Sequence, residues 1–268
     1  MDFKKELTMN TSLTYFYSFL GLFLISLNFQ TASIGAERNN YNLLFSESFS
    51  GSDLDPNRWK KSEHTFLCNL AKFTPTHVAV NNQTVKLLTT HSPLGKSQFS
   101  SAEITTLPNK DGKFLYGRFE NRMKVSKVSG IVSAFFLYRY NPWQEIDIEF
   151  LGKDTTKIQT NIFFNPGKDG DKINGKDAPY GHPKTFDLGF DAGDDFHTYA
   201  IEWDKNEVRW YVDDRLLDRR QTALKTPNLP MQLMMNAWPS CSPEWSGPID
   251  ANSLDSSFES AGIRVFEK

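Results

Sequence analysis

Residues 143–152 alternate acidic and apolar side chains, and this alternation limits the fold of the chain more than any other feature. Successive side chains of a β-strand point to opposite faces of a sheet, so a strand here places Glu145, Asp147 and Glu149 on one face. The apolar residues between them then face a core. Like charges side by side on a sheet are unfavourable by a few tenths of a kcal/mol to ~1 kcal/mol each. Folding alone gives no reason for this pattern, whereas a functional site does.

Short alternating segments separated by turns recur along the chain from about Tyr41 onward, and hardly any segment has a helical pattern. Turns at residues 81–83 and 204–207 predict two hairpins, and the Gly-, Asp-, Lys- and Pro-rich stretch 165–184 predicts a long surface loop. We therefore predict an all-β fold, a jelly-roll sandwich of two antiparallel sheets. The predicted strands cover residues 77–80, 84–88, 118–125, 131–140, 158–164, 197–203 and 208–212.

Length and charge restrict the domain count and the partners. The chain has 268 residues and a formal net charge of -2, without runs of Lys or Arg. All-β sandwiches often reach ~200–250 residues as one domain, and no linker interrupts this sequence. A nucleic-acid partner would require a basic surface, so we predict none. We expect a monomeric single-domain protein.

The N-terminus has the pattern of a secretory signal. Lys4 and Lys5 precede an apolar run at residues 13–27, and small residues follow at 31–36. A membrane-spanning helix needs ~20 apolar residues, and this run is shorter and contains Thr and Ser. We predict a signal peptide over residues 1–36, with export to the extracellular space or periplasm and no membrane attachment after cleavage. An uncleaved membrane anchor is the alternative.

The chain contains two cysteines, Cys68 and Cys241. In an exported protein such a pair can form one disulfide. The sequence alone leaves open whether the two residues meet or stay separate thiols. Neither cysteine has the spacing of a metal ligand, and we predict no metal and no cofactor.

The acidic pattern indicates glycoside hydrolysis. On an extended strand the Cα atoms of Glu145 and Glu149 lie ~13 Å apart, at ~3.3 Å per residue. Strand curvature can bring their carboxyl groups to ~5–5.5 Å, the separation that retaining glycosidases use, although the wider gap of inverting enzymes also remains open. Retention requires one ionised and one protonated carboxyl. Asp147 between the two raises at least one pKa by like-charge repulsion and couples their titrations.

Two other interpretations of the acidic strand stay open at this point. The first is an ordinary solvent-facing strand, although basic residues would then be expected among the acids. The second is a site for a hard cation such as Ca²⁺, which also collects carboxylates but usually takes them from a loop. Neither interpretation requires catalysis.

The same residues resemble the signature of glycoside hydrolase family 16, Glu-apolar-Asp-apolar-Glu, and in particular its bacterial lichenase branch. The similarity continues at residues 130–136, 150–157, 188–192, 196–200 and 234–238, and it covers roughly residues 45–268. It implies a jelly roll over residues 37–268 with a concave cleft, acting as a secreted retaining endo-β-glucanase on β-1,3-1,4 mixed-linkage glucan. It also implies Glu145 as nucleophile, Glu149 as acid/base and Asp147 as assisting carboxylate.

The resemblance further implies a set of sugar contacts. Sugars present apolar faces to aromatic rings and hydroxyls to amides and carboxylates, so a glucan cleft combines these residue types. For Trp238 and Trp245, ordinary core packing is the alternative. The implied substrate-binding residues are Glu103, Trp143, Asn161, Phe163, Asn236, Trp238 and Trp245.

Two departures from the family pattern concern cysteine and metal positions. Ser101 stands where many lichenases have a cysteine, which leaves Cys241 as the candidate partner of Cys68. Gly262 stands where some members have an aspartate that helps to bind structural calcium. The resemblance therefore implies no metal in this chain.

Other departures fall at substrate-recognition positions. Thr105 replaces an arginine, Phe163 replaces a tyrosine, and the loop between Trp59 and Cys68 is shorter than in lichenases. These changes leave an endo-β-1,3-glucanase and a glucan transglycosylase as alternatives on the same fold. A jelly-roll carbohydrate-binding module without catalysis is the alternative from another class, and it has no need of three aligned carboxylates.

Overall fold

Strands make up most of the described chain. The computed structural model describes residues 41–109, 112–173, 183–221, 226–250 and 254–268. The strands are β1 (Asn42–Glu47), β2 (Trp59–Lys61), β3 (Ala71–Phe73), β4 (Val78–Asn81), β5 (Thr84–Thr90), β6 (Phe99–Thr106), β7 (Lys113–Phe114), β8 (Gly117–Lys124), β9 (Ile131–Arg139), β10 (Gln144–Leu151), β11 (Lys157–Phe164), β12 (Lys184–Asp187), β13 (His197–Trp203), β14 (Glu207–Val212), β15 (Arg215–Gln221), β16 (Met231–Pro239) and β17 (Asp255–Glu267). A single 3-10 turn covers Pro75–His77, and a one-turn helix, α1, covers Pro243–Ser246.

The strands form two antiparallel sheets. One sheet, which we call the cleft sheet, runs β2–β6–β16–β9–β10–β11–β12, with β7 beside β16. The other, the back sheet, runs β4–β5–β17–β8–β13–β14–β15, with β1 beside β17. The short parallel pairing of β3 with β6 and one contact of β5 with β6 connect the sheets. The predicted all-β fold is confirmed.

The core lies between the two sheets and takes one face of β10. Ile146, Ile148 and Phe150 are fully buried, as the alternation of this strand predicted. Phe150 packs edge-on against Tyr199 of the back sheet, with ring centroids 5.1 Å apart. Each such side chain contributes ~1.5–3 kcal/mol when it is removed from water. This burial fixes the other face of β10 toward the opposite side of the cleft sheet.

Two hairpin turns have the backbone that the right-handed twist of their strands favours. Asn82 and Gln83 connect β4 to β5, and both have positive φ, 50° and 59°. Asp213 and Asp214 connect β14 to β15 with φ of 45° and 64°. Two consecutive positive φ values match a type I′ turn, in which Asn and Asp are favoured residues. The hairpins predicted around residues 81–83 and 204–207 are confirmed by the pairing of β4 with β5 and of β13 with β14.

Some predicted boundaries differ from the structure. β9 ends at Arg139, so Tyr140 lies beyond the strand and is exposed. Lys184, predicted as the end of a long loop, is the first residue of β12. Residues 174–182 of that loop, and the predicted signal peptide 1–36, lie outside the described residues. Within the described part of the chain, no helix is long and apolar enough to cross a membrane.

Cys68 and Cys241 are joined by a disulfide across 173 residues of sequence. The backbone N–H of Cys241 also donates to the carbonyl of Cys68 at 2.9 Å. Ser101, which stands where many lichenases have a cysteine, is fully buried on β6. The disulfide therefore ties the loop before β3 to the segment between β16 and α1.

Removing the disulfide should destabilise the fold. The variant Cys68→Ser/Cys241→Ser is expected to lose about 2–4 kcal/mol of unfolding free energy in urea denaturation, because the bond no longer restricts the unfolded chain. Reductant should lower the stability of the native protein similarly and leave the variant unchanged. If the protein with both cysteines, denatured without reductant, showed two titratable thiols, the pairing would be contradicted.

Candidate active site

The three carboxyl groups of β10 lie in a row near the middle of the cleft sheet. β9 and β11 flank this strand, so Glu145 lies opposite Tyr138 and Phe163, and Glu149 lies opposite Ala134 and Gln159. Glu145 and Glu149 are half-buried, and Asp147 between them is only 4% exposed. The interpretation as an ordinary solvent-facing strand is therefore wrong.

The row forms the floor of a cleft of about 840 Å³. Every residue that the sequence predicted as catalytic or substrate-binding lines this cleft, while the roles of these residues remain predictions. The predicted members are Glu103, Trp143, Glu145, Asp147, Glu149, Asn161, Phe163, Asn236, Trp238 and Trp245. The lining residues that the sequence did not predict are His64, Phe66, Leu67, Ala134, Phe136, Tyr138, Tyr140, Gln159, Pro183 and Met234.

Each outer carboxyl group accepts a hydrogen bond from a neighbouring side chain. The indole N–H of Trp143 donates to Glu145 Oε2 at 2.7 Å. The amide of Gln159 donates from Nε2 to Glu149 Oε2 at 2.8 Å. From the core side, the indole N–H of Trp210 donates to the backbone carbonyl of Asp147 at 2.9 Å, which holds the strand at the centre of the row.

Burial raises the pKa of all three carboxyl groups. It raises the pKa of Glu145 to about 8, and the hydrogen bonds from Trp143 and Asp147 act in the opposite direction. It raises the pKa of Glu149 to about 7, against the hydrogen bond from Gln159. The pKa of Asp147 lies well above its usual range because of burial and of both neighbouring glutamates. The row therefore retains protons near neutral pH.

Asp147 and Glu145 are joined by a side-chain hydrogen bond. Their hydrogen bond raises the pKa of Asp147 and lowers that of Glu145, the pattern of a protonated Asp147 that donates to an ionised Glu145. Burial raises the pKa of both glutamates, whereas the hydrogen bonds from Trp143 and Asp147 favour the ionised form of Glu145. Donors to Glu145 supply the opposing effect.

A second polar group lies on the β6 and β16 side of the cleft. Glu103 is 3% exposed and accepts hydrogen bonds from the Ser62 hydroxyl at 2.7 Å and from Asn236 Nδ2 at 3.0 Å. Burial raises the pKa of Glu103. Asn236 Oδ1 is buried and has no hydrogen-bond partner among the described residues. This oxygen and the Glu103 carboxyl are suited to accept hydrogen bonds from sugar hydroxyls.

Aromatic side chains line both walls of the cleft. Trp143 stacks on Phe163, with ring centroids 4.8 Å apart and an interplanar angle of 20°. On the other wall, Trp238 contacts Phe66 at 5.0 Å and Trp245 at 6.0 Å. Trp238 is 9% exposed and belongs to a small apolar cluster, so it both packs in the interior and lines the cleft.

Strand parity could have found some of the residues that the sequence did not predict. Gln159 precedes Asn161 by two positions on β11 and therefore shares the face of a predicted residue. Phe136 and Tyr138 share one face of β9, a strand on which the sequence predicted no site residue. Their exact neighbours follow from the register, which the sequence did not provide. Phe66 and Leu67 lie in the loop tied by the disulfide, and no periodic signal marks them.

The part of the chain that the structure describes contains no candidate metal-binding site. No group of three or more His, Cys, Asp or Glu side chains there is arranged to hold a metal ion.

Comparisons with known proteins identify relatives of one kind. The family model described as glycosyl hydrolases family 16 matches residues 69–253. A β-glucanase of Brevibacillus brevis is 33% identical over 251 residues, which cover 90% of this chain and 88% of that protein. A β-glucanase of Bacillus subtilis is 45% identical over 127 residues, or 46% of this chain and 47% of that protein. The chain spans about half the length of several curated relatives that it matches.

Solved structures share the fold. The β-glucanase of Bacillus licheniformis superposes with a TM-score of 0.71 at 30% identity, over 84% of this chain and 98% of that chain. A prokaryotic β-1,3-1,4-glucanase (lichenase) derived from a mouse hindgut metagenome gives 0.70 at 31% identity, over 82% and 97%. The predicted jelly-roll sandwich is thereby confirmed. The family model and the Brevibacillus relative together show that this chain belongs to glycosyl hydrolases family 16.

Proposed function

We propose that this protein is a retaining endo-β-glucanase that hydrolyses β-1,3-1,4 mixed-linkage glucan. The observation that carries the proposal is the row of three carboxyl groups on the floor of a cleft with aromatic walls. Similar proteins named β-glucanase or lichenase support the substrate class. A carbohydrate-binding module without catalysis would have no use for this row.

The first step forms a covalent glycosyl-enzyme. A carboxylate oxygen of Glu145 attacks the anomeric carbon while the bond from that carbon to the glycosidic oxygen breaks. Glu149 gives its proton to the departing oxygen, which leaves as a sugar hydroxyl. A protonated Asp147 supports this step, because its hydrogen bond to Glu145 leaves the negative charge of the row on the nucleophile.

The second step releases the sugar. Glu149, now ionised, takes a proton from water as the water oxygen attacks the anomeric carbon and displaces Glu145. Two displacements at one carbon restore its original configuration. A transglycosylase would share the first step and use a sugar hydroxyl in place of water in the second.

The walls of the cleft support an extended chain of glucose units. The apolar faces of sugar rings pack on aromatic rings such as Trp143 and Trp238, while Glu103 and Asn236 accept hydrogen bonds from hydroxyls. Thr105 and Phe163 stand at positions where lichenases have other residues, so an endo-β-1,3-glucanase is the second candidate on this site.

Export is part of the proposal. Removal of residues 1–36 would deliver a monomeric domain to the extracellular space or the periplasm. The Cys68–Cys241 disulfide supports this location, because such bonds persist in oxidising compartments.

Replacing either outer carboxyl by its amide should abolish glucan hydrolysis. Glu145→Gln removes the attacking oxygen and Glu149→Gln removes the proton donor, so each should lower kcat by at least about 100-fold, the smaller contribution usually assigned to one acid or base. Reducing-end release from barley β-glucan measures the effect. The control is Glu267→Gln, the same change at an exposed glutamate on the back sheet. Full activity of either active-site variant would contradict the mechanism.

Azide distinguishes the roles of the two glutamates. With an aryl glycoside whose leaving group needs no protonation, azide can attack the glycosyl-enzyme of Glu149→Ala and give a β-glycosyl azide. In Glu145→Ala, azide attacks the substrate itself from the opposite face and gives an α-glycosyl azide. Exchanged products would reverse the assignment of nucleophile and acid/base.

Product analysis tests linkage and reaction type. We expect faster release of reducing ends from lichenan and barley β-glucan than from laminarin, and β-configured products in early proton NMR spectra. Faster hydrolysis of laminarin would instead identify the protein as an endo-β-1,3-glucanase, the second candidate. A labelled oligosaccharide acceptor tests the reaction type. If elongated products outweighed hydrolysis products, the protein would be a transglycosylase and not a hydrolase.

The raised pKa of Glu149 also predicts a pH-dependent cost in stability. Because its pKa is about 7 in the folded protein and near 4.5 in the unfolded chain, the native protein should lose stability as pH rises between these values. Glu149→Gln removes this titration, so the unfolding free energy of this variant relative to that of the native protein should rise by about 3 kcal/mol between pH 4.5 and 8. Urea denaturation at both pH values measures the difference, with Glu267→Gln as control. An equal pH dependence in Glu149→Gln and the native protein would contradict the burial of this carboxyl.

A further inference from the structure

The one-turn helix α1 carries an indole that reaches the carboxyl row through a single side chain. The Trp245 N–H donates to Gln159 Oε1 at 3.1 Å, and Gln159 Nε2 donates to Glu149 Oε2 at 2.8 Å. Gln159 lies directly opposite Glu149 in the β10–β11 register and is 8% exposed. The three side chains form a continuous path from the cleft wall to the proposed acid/base.

The indole decides which end of the Gln159 amide faces Glu149. An indole N–H can only donate a hydrogen bond, whereas an amide can donate from nitrogen and accept at oxygen. Trp245 therefore requires the amide oxygen on its own side and leaves the NH₂ group for Glu149. Without this indole, an inverted amide could present its oxygen to a protonated Glu149.

The orientation of the amide determines which oxygen of Glu149 can hold the acidic proton. While Gln159 donates to Oε2, this oxygen serves as acceptor, and the proton of Glu149 belongs on Oε1. An inverted amide would accept a hydrogen bond from a proton on Oε2, which would hold this proton away from the glycosidic oxygen. It would also stabilise the protonated acid, which raises its pKa.

We propose that Trp245 is a positioning residue for the general acid: through Gln159 it keeps the acidic proton of Glu149 available to the leaving glycosidic oxygen. The inference rests on the acid/base role of Glu149 in the proposed function. It assigns Trp245 a task beyond sugar stacking, because its N–H is engaged by Gln159.

Contacts on both sides of α1 hold this indole in place. The Cys68–Cys241 disulfide lies just before the helix, and the Ser246 carbonyl accepts from the N–H of Gly130 at 3.0 Å. Lys153 Nζ donates to the Glu244 carbonyl at 2.7 Å. A helix of four residues is not stable by itself, so these contacts fix the position of Trp245.

The two outer glutamates of the row are connected to a tryptophan in different ways. Trp143 donates directly to Glu145 and can act only as a donor, which favours the ionised nucleophile. Glu149 has to be protonated in one step and ionised in the next, and its neighbour Gln159 could serve either form. Only this side of the row therefore needs a second residue to orient the donor.

The pH profile of kcat/KM on barley β-glucan tests the proposal, because its alkaline limb reports the pKa of the acid in the free enzyme. Trp245→Phe keeps an aromatic ring and removes the N–H. We expect its alkaline limb to move upward by about one pH unit, the size of one lost hydrogen bond to a charged group, with kcat/KM lower by about tenfold. Trp238→Phe, in the same aromatic cluster, should leave the limb in place.

A double-mutant cycle tests whether Trp245 acts through Gln159. Gln159→Leu removes the amide and should also move the limb upward, and adding Trp245→Phe to it should cause no further shift. Additive shifts would show that Trp245 acts independently of the amide, and they would overturn the proposal.

An aryl β-glycoside with a leaving group that needs no proton separates proton delivery from packing. Trp245→Phe should lose about tenfold in kcat/KM on the polymer and less than about twofold on this substrate, a difference that only proton delivery produces. Equal losses on both substrates with an unmoved limb would reduce Trp245 to a packing residue. If Glu149→Gln kept full activity on the polymer, the proposed function itself would fail instead.

A measurement on the native side chains covers the case in which Trp245→Phe does not fold. The Trp245 indole N–H signal in ¹H–¹⁵N spectra should shift with the titration of Glu149 and stay constant in Glu149→Gln. A signal that titrates identically in both proteins would overturn the proposal.

Discussion

The burial of one face of β10 is the interaction on which the site depends. Ile146, Ile148 and Phe150 are fixed between the sheets, so the strand cannot turn its acidic residues into water without losing this apolar contact. The three carboxyl groups therefore stay close together although their charges repel. The row meets this repulsion by retaining protons and by accepting hydrogen bonds from Trp143 and Gln159.

The neighbours of the row give its two ends different properties. Glu145 accepts a hydrogen bond from Trp143 and is hydrogen-bonded to Asp147, and both contacts favour its ionised form against the effect of burial. Glu149 faces the amide of Gln159, which could also accept a hydrogen bond, and Trp245 orients this amide from outside the row. One strand can thus supply a nucleophile and an acid, because the flanking strands provide unlike partners.

Strand parity explains how much of this site the sequence predicted. Alternation alone placed the three carboxyl groups on one face of β10. It could not give the register between strands, so it did not predict that Gln159 lies opposite Glu149. The disulfide stayed open for the same reason: residues 173 positions apart meet only through the packing of the whole domain. The family resemblance, and not periodicity, indicated the partner of Cys68.

The most direct test of the central claim is the identity of the carboxyl group that carries the sugar during turnover. Rapid acid quenching of the enzyme with an aryl glucan oligosaccharide, followed by peptic digestion and mass spectrometry, locates the glycosyl ester. We expect it on Glu145 of β10, in a peptide that also contains Asp147 and Glu149. An ester on Glu149, or the absence of any ester together with α-configured products, would contradict a retaining mechanism with Glu145 as nucleophile.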